Sequence, residues 1–213
     1  IGEERGHHFF AMQYVEGESL ADLLARREQL SVEQTLPIVE QTLSGLAAAH
    51  KQGMVHRDIK PGNILLDRQN HRALLADFGL VKTLQGSGSL TATGTIMGTV
   101  DYISPEQGRG HEVDGRSDLY SIGVLLYRML SGRLPFEADS PTAMIFQHVY
   151  ETPQPLSELV EELPAALAAV IKTLMAKSPD DRYQTAEAVL ADLKAYGKAE
   201  PLPSGADVIE SDG

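Results

Sequence analysis

The run His56-Arg57-Asp58-Ile59-Lys60-Pro61-Gly62-Asn63 and the triplet Asp77-Phe78-Gly79, fourteen residues further on, carry the side chains best suited to chemistry in this chain. A carboxylate such as Asp58 can take the proton of a hydroxyl or orient it. Lys60, two residues later, sets a cation where an anion could sit beside that hydroxyl. The amide oxygen of Asn63 and the carboxylate of Asp77 are hard oxygen donors, the kind Mg²⁺ accepts. A proton acceptor, a cation and two metal-type oxygens together suit the handling of phosphate groups, in which charge spread over phosphate oxygens must be neutralised. Either motif alone is an ordinary loop or strand end, so it is their order and spacing that give the pair its meaning.

These residues need elements to hold them. Residues 9–15 are rich in strand formers and end at Glu16-Gly17, which predicts a buried strand running into a turn. A short helix is expected over 19–27. Ser31 with Gln34 has the form of a capping box, and Leu36, Val39, Leu43, Leu46 and His50 recur at helical spacing up to Gly53, with Pro37 placed to kink the helix slightly. Over 54–78 the period shortens: Met54-Val55, Ile64-Leu65-Leu66 and 73–76 read as small β-hairpins with polar turns between them. Residues 85–98 are mostly Gly, Ser, Thr and Ala and read as a mobile loop. The stretch 117–130 is apolar nearly all round, the mark of a helix buried mid-domain. Further helices are expected over 141–150, 164–177 and 185–196, and an acidic, disordered tail over 197–213.

Composition narrows the function classes. Of 213 residues, 42% are hydrophobic and 23% charged, an ordinary globular balance. Lys and Arg number 18 against 30 Asp and Glu, a formal charge of −12, which argues against nucleic acid or an anionic lipid surface as partner. The absence of cysteine excludes disulfides and thiolate metal sites and suits a reducing compartment. No apolar run approaches the roughly 20 residues of a membrane span, and the most apolar, 122–130, is interrupted by Arg128. The chain begins at Ile1 without a signal segment, so it reads as a piece of a longer product.

Together the two motifs closely resemble the catalytic loop and metal-binding loop of eukaryotic-like Ser/Thr protein kinases, and the resemblance runs from about residue 9 to 196. Ser104-Pro105-Glu106 is similar to the Ala-Pro-Glu that closes a kinase activation segment, Asp118 to Gly123 resembles the start of the central helix, and Arg182 falls where the partner of that Glu belongs. Pro61-Gly62-Asn63 and Ser104-Pro105-Glu106-Gln107 are in the style of the bacterial branch. The resemblance implies an α+β fold: a mainly helical large lobe with short β-hairpins over 1–196, and a linker over 197–213. It also implies roles. Asp58 is the catalytic base, Lys60 binds phosphate, and Asn63 and Asp77 hold Mg²⁺. Met12 is the gatekeeper, Gln13 to Val15 the hinge that binds the adenine of ATP, and Leu65 a cover for the ring. His56 and Phe78 are packing elements, and Arg57 docks a phosphorylated loop, for which Thr91, Thr93 and Thr95 are the candidate sites. Gly98-Thr99, before Tyr102, faces the substrate hydroxyl and with Lys60 favours Ser or Thr. Glu106 and Arg182 form a buried ion pair, and Asp118 holds the backbone of the catalytic loop. Gly62 stands where many kinases that prefer basic substrates carry Glu, so no such preference is expected.

The resemblance also has gaps. No Lys precedes Lys51 and no Gly-rich phosphate loop precedes residue 13, so the small lobe is missing and the isolated chain is expected to be nearly inactive. The implied activity of the parent is transfer of the ATP γ-phosphoryl group to protein Ser/Thr hydroxyls in the cytoplasm, with dimers phosphorylating their own loops in trans and any membrane anchor lying outside this segment. The alternative is a truncated pseudokinase serving as a regulatory binding module, which has no physical need for Asp58, Asn63 and Asp77 together. A small-molecule phosphotransferase is disfavoured by the trio Glu106, Asp118 and Arg182.

Overall fold

Leu119, Ile122, Leu125, Leu126 and Met129 are wholly buried around one helix, and the architecture is built on it. The computed structural model describes residues 2–4, 7–9, 14–77 and 100–196. The elements within them are strands β1 (Gly2–Glu4), β2 (His7–Phe9), β3 (Gly17–Ser19), β4 (Ile64–Asp67) and β5 (Arg72–Leu75), and helices α1 (Leu20–Arg27), α2 (Val32–His50), α3 (Pro105–Arg109), α4 (Gly115–Ser131), α5 (Pro141–Tyr150), α6 (Ala165–Leu174) and α7 (Ala186–Tyr196). Helix α4 packs on α2 and α6, α7 lies on α2 and α6, and α5 packs on α3.

Helix α4 is covered on all sides because its polar residues are small or placed to bond. Asp114 caps its first turn by accepting from the Arg116 N–H, and Gly132 ends it in the left-handed conformation at φ 74°. Gly123 allows a close crossing: a Cβ there would lie 2.8 Å from side-chain atoms of both Leu174 and Met175. Capping boxes open α1 (Ser19 with Asp22), α2 (Ser31 with Gln34) and α3 (Ser104 with Gln107). Helix α2 continues through Pro37, its sixth residue, although the proline supplies no N–H to the carbonyl four residues earlier.

The strands form two antiparallel sheets. In one, β1 pairs with β2. In the other, β4 lies between β3 and β5, with Gly17 opposite Asp67 and Ile64 opposite Leu75. This corrects two expectations. Gly17 opens strand β3, opposite Asp67, rather than forming a turn, while Tyr14 and Val15, expected to end a buried strand, lie in none and Tyr14 is exposed. Met54-Val55 forms no strand; the backbone donors that follow it bond to a side chain instead of a neighbouring strand. Helix α6 also ends at Leu174, three residues before the expected limit, and α3 was not expected as a helix. The 85–98 loop and the 197–213 tail lie outside the described residues. Among the described residues, no helix is long and apolar enough to cross a membrane.

Candidate active site

The loop between α2 and β4 carries the first motif, and its shape is set by side chains rather than by a ladder. Asp118, buried on the first turn of α4, accepts from the His56 N–H at 2.9 Å, the Arg57 N–H at 2.8 Å and the His50 ring at 2.8 Å. These bonds hold Arg57 at φ 66°, a left-handed conformation that costs a non-glycine residue about 1–2 kcal/mol. Gly115, one turn earlier, leaves room for His50: a Cβ there would come within 2.7 Å of the imidazole Nδ1.

His56 then fixes the loop to the strand that leads to the second motif. Its ring is fully buried. Nε2 donates to the Ala76 carbonyl at 2.9 Å, and Nδ1 accepts from the Asp58 N–H at 3.3 Å, so the bonds select the neutral tautomer protonated at Nε2. The Ala76 N–H in turn donates to the Asn63 carbonyl at 2.9 Å. Both backbone groups of the residue preceding Asp77 are therefore tied to the loop that carries Asp58 and Asn63. Asp77 itself is exposed and adopts φ 57°, a second non-glycine residue in the left-handed region.

The side chains of the first motif converge on Asp58. Lys60 Nζ donates to Asp58 Oδ2 at 2.9 Å. Asn63 Nδ2 donates to the same oxygen at 3.1 Å and to the Asp58 carbonyl at 2.7 Å. A carboxamide with its NH₂ group so engaged presents its oxygen as the remaining donor atom, which is the atom a hard cation takes. The arrangement unites a half-buried carboxylate, an adjacent ammonium group and an amide oxygen, and it can accept a proton while balancing anionic charge.

A separate buried pair braces this region from below. Arg182 donates to Glu106 from two nitrogens at 2.7 and 2.8 Å, and to the carbonyls of Ala176, Arg116 and Lys177. Ser117 adds a short hydroxyl donation to Glu106. Burial opposes ionisation of Glu106, but the bonds from Arg182 and Ser117 outweigh it and hold the carboxyl below its ordinary value. The guanidinium also lies over the Tyr120 ring, 4.9 Å from its centre.

Of the remaining expected residues, Val15 precedes β3 and Leu65 lies on β4 opposite Ser19, both half-buried. Tyr102 is partly buried, and its carbonyl accepts from the Ser121 hydroxyl. Met12, Gln13, Phe78, Thr91, Thr93, Thr95 and Thr99 lie outside the described residues. The sequence reading missed His50, Ser117 and Gln107. His50 reads as one more residue on the buried face of α2, although a polar ring at such a position demands a partner. Gln107 could have been found by the Ser-x-x-Gln spacing that marks α2. Nothing in the local sequence marks Ser117.

A helical lobe centred on a buried helix, with a carboxylate loop held by an aspartate of that helix and a bidentate Glu–Arg pair beneath it, is the framework of a phosphotransfer domain of the kinase type. The protein kinase domain family matches residues 1–193, and the chain belongs to that family. It is 41% identical over 195 residues to a probable serine/threonine-protein kinase of Streptomyces coelicolor, covering 91% of this chain and 29% of that protein. It is 40% identical over 194 residues to serine/threonine-protein kinase PknB of Mycobacterium tuberculosis, with 91% of this chain and 31% of that protein covered. The chain thus spans about a third or less of the length of these curated relatives. Among solved structures it is similar to the PknI kinase domain of Mycobacterium tuberculosis, at 28% identity and TM-score 0.66, covering 86% of this chain and 64% of that one. Family membership implies ATP and a divalent metal as the cofactors of this fold.

Proposed function

We propose that this chain is the large-lobe part of a bacterial-type serine/threonine protein kinase that transfers the γ-phosphoryl group of ATP to Ser or Thr hydroxyls of a protein. The observation that carries the reading is the convergence of Lys60 and Asn63 on one oxygen of Asp58, at 2.9 and 3.1 Å. The donor chemistry fits the cofactors: an amide oxygen from Asn63 and a carboxylate from Asp77 suit Mg²⁺, which keeps its other positions for phosphate and water. ATP with Mg²⁺ supplies the activated phosphoryl group and neutralises charge on it.

The chain's own residues do the rest. Asp58 receives the hydroxyl proton, or orients the hydroxyl so that its oxygen faces the phosphoryl group. Lys60, held beside Asp58, turns toward the phosphate as negative charge gathers there. Asn63 holds Asp58 by its NH₂ group, and its oxygen would hold the metal. Asp118 and His56 keep the loop in its left-handed shape, so that positioning is complete before substrate arrives. Met12, Gln13 and Val15 bind the adenine edge and Leu65 covers the ring. Phosphorylation at Thr91, Thr93 or Thr95 supplies an anion for Arg57, in trans between two copies. A packing role is assigned to Phe78, and recognition of the acceptor hydroxyl to Thr99. The reaction is assigned to the cytoplasm, where ATP is available.

The test is transfer of label from γ-labelled ATP by the full-length protein with Mg²⁺, followed by identification of the modified residues. Phosphoserine and phosphothreonine in protein are the expected products. Label appearing only in a small metabolite would contradict the assignment.

A further inference from the structure

The peptide that joins Arg57 to Asp58 belongs to no helix or strand, yet each of its polar groups has a side-chain partner. Its N–H, on Asp58, donates to His56 Nδ1 at 3.3 Å. Its carbonyl, on Arg57, accepts from Gln107 Nε2 at 2.9 Å. Gln107 is no passing surface contact, because the other end of its carboxamide is also fixed. Oε1 accepts from both the N–H and the hydroxyl of Ser104, each at 3.1 Å, and Ser104 is fully buried. One side chain therefore closes the N-terminus of α3 with its oxygen and grips the candidate base's own peptide with its nitrogen. These opposite demands also settle which end of the amide is which.

We infer that Gln107 is a positioning residue, coupling the Ser104–Gln107 turn to the orientation of Asp58. The inference rests on the role given to Asp58 above. Asp118 holds the N–H of Arg57 from α4 and Gln107 holds its carbonyl from α3, so the left-handed residue before Asp58 is clamped from two helices. If the start of α3 shifts, the carbonyl loses its donor and the Arg57–Asp58 peptide loses one of its anchors, so the carboxylate it carries is less firmly oriented. The end of the segment that leads into α3 is thereby linked to the reacting group by a single amide.

Two substitutions separate the two ends of that amide. Gln107→Glu keeps an oxygen for Ser104 but has no proton for the Arg57 carbonyl. Gln107→Lys keeps a donor for the carbonyl but loses the cap. In the full-length protein, Gln107→Glu is expected to lower kcat by about tenfold or more, on the scale of lost outer-shell partners, with KM for ATP and the melting temperature near wild type. Gln107→Lys is expected to melt earlier yet retain more kcat than Gln107→Glu. A Gln107→Glu enzyme with wild-type kcat, or one no slower than Gln107→Lys, overturns the inference. Asp58→Asn is run beside them. If it is not slowed, the role of Asp58 fails and the inference with it; if it is slowed while Gln107→Glu is not, the inference alone fails.

Discussion

Asp118 has two oxygens and three donors, and each donor comes from a group that shapes the candidate site. In Asp118→Asn, an NH₂ group replaces one oxygen and faces N–H donors it cannot accept from. The expected result is a loss of activity of about 10- to 100-fold with the fold retained, and faster hydrogen exchange at the Arg57 amide. Glu106 poses a different question, because its partner is wholly buried. Glu106→Gln leaves the Arg182 guanidinium, with a side-chain exposure of 0%, without a counter-charge, and stability is expected to fall by about 3–5 kcal/mol in denaturant titrations. Since the Glu106 carboxyl is held below its ordinary value in the folded state, its stabilisation is present above the unfolded value of 4.5 and is lost as pH falls below it. The variant is expected to lack that part of the acid sensitivity. Asp58, Lys60, Asn63 and Asp77 stood out in the sequence as candidates because their types and spacing carry chemistry, and the structure brings the first three together. His50 did not stand out, since it acts through a contact 68 residues away; the Ser-x-x-Gln spacing marks Gln107 as part of a cap, but its bond to the Arg57 carbonyl, 50 residues away, leaves no trace in that spacing.

At the scale of the elements, helices with strong periodicity and caps were readable. Helix α5 begins and ends where expected because Ser140 caps it and Pro141 opens it. Helix α3 is too short for a periodic pattern, and Met54-Val55 looked like a strand because apolar residues do not reveal that nearby backbone donors bond to Asp118. The crossing of α4 and α6 depends on Gly123, and Gly123→Ala is expected to cost about 1–3 kcal/mol by overpacking against Leu174 and Met175, measurable as a lowered unfolding midpoint. Helix α5 carries a second pH-sensitive feature in His148, buried against Tyr120, Phe136 and Lys177. Burial, with Lys177 beside it, lowers His148 from 6.5 to about 4. The unfolded chain takes up that proton near 6.5 and the folded chain only near 4, so stability is expected to fall as pH drops through that window. A His148→Phe variant is expected to show a flatter dependence of stability on pH between these values; a slope equal to that of wild type would show that His148 does not set it.

For the molecule as a whole, the helical architecture could be read in advance from periodicity and caps, and the two motifs from the residue types that phosphate chemistry calls for. The means of joining the motifs could not. That depends on the two backbone groups of Ala76, bonded to His56 and Asn63, and backbone contacts leave no trace in residue identity. The central claim is that Asp58 is the group on which phosphoryl transfer to protein hydroxyls turns. The most direct measurement is the initial rate of phosphate transfer from ATP to a protein substrate by the full-length protein and its Asp58→Asn variant, at saturating Mg²⁺. The account predicts a rate lower by about 10²- to 10⁴-fold in the variant, the range for loss of a general base, with ATP still bound. A variant that phosphorylates protein at the wild-type rate would contradict it.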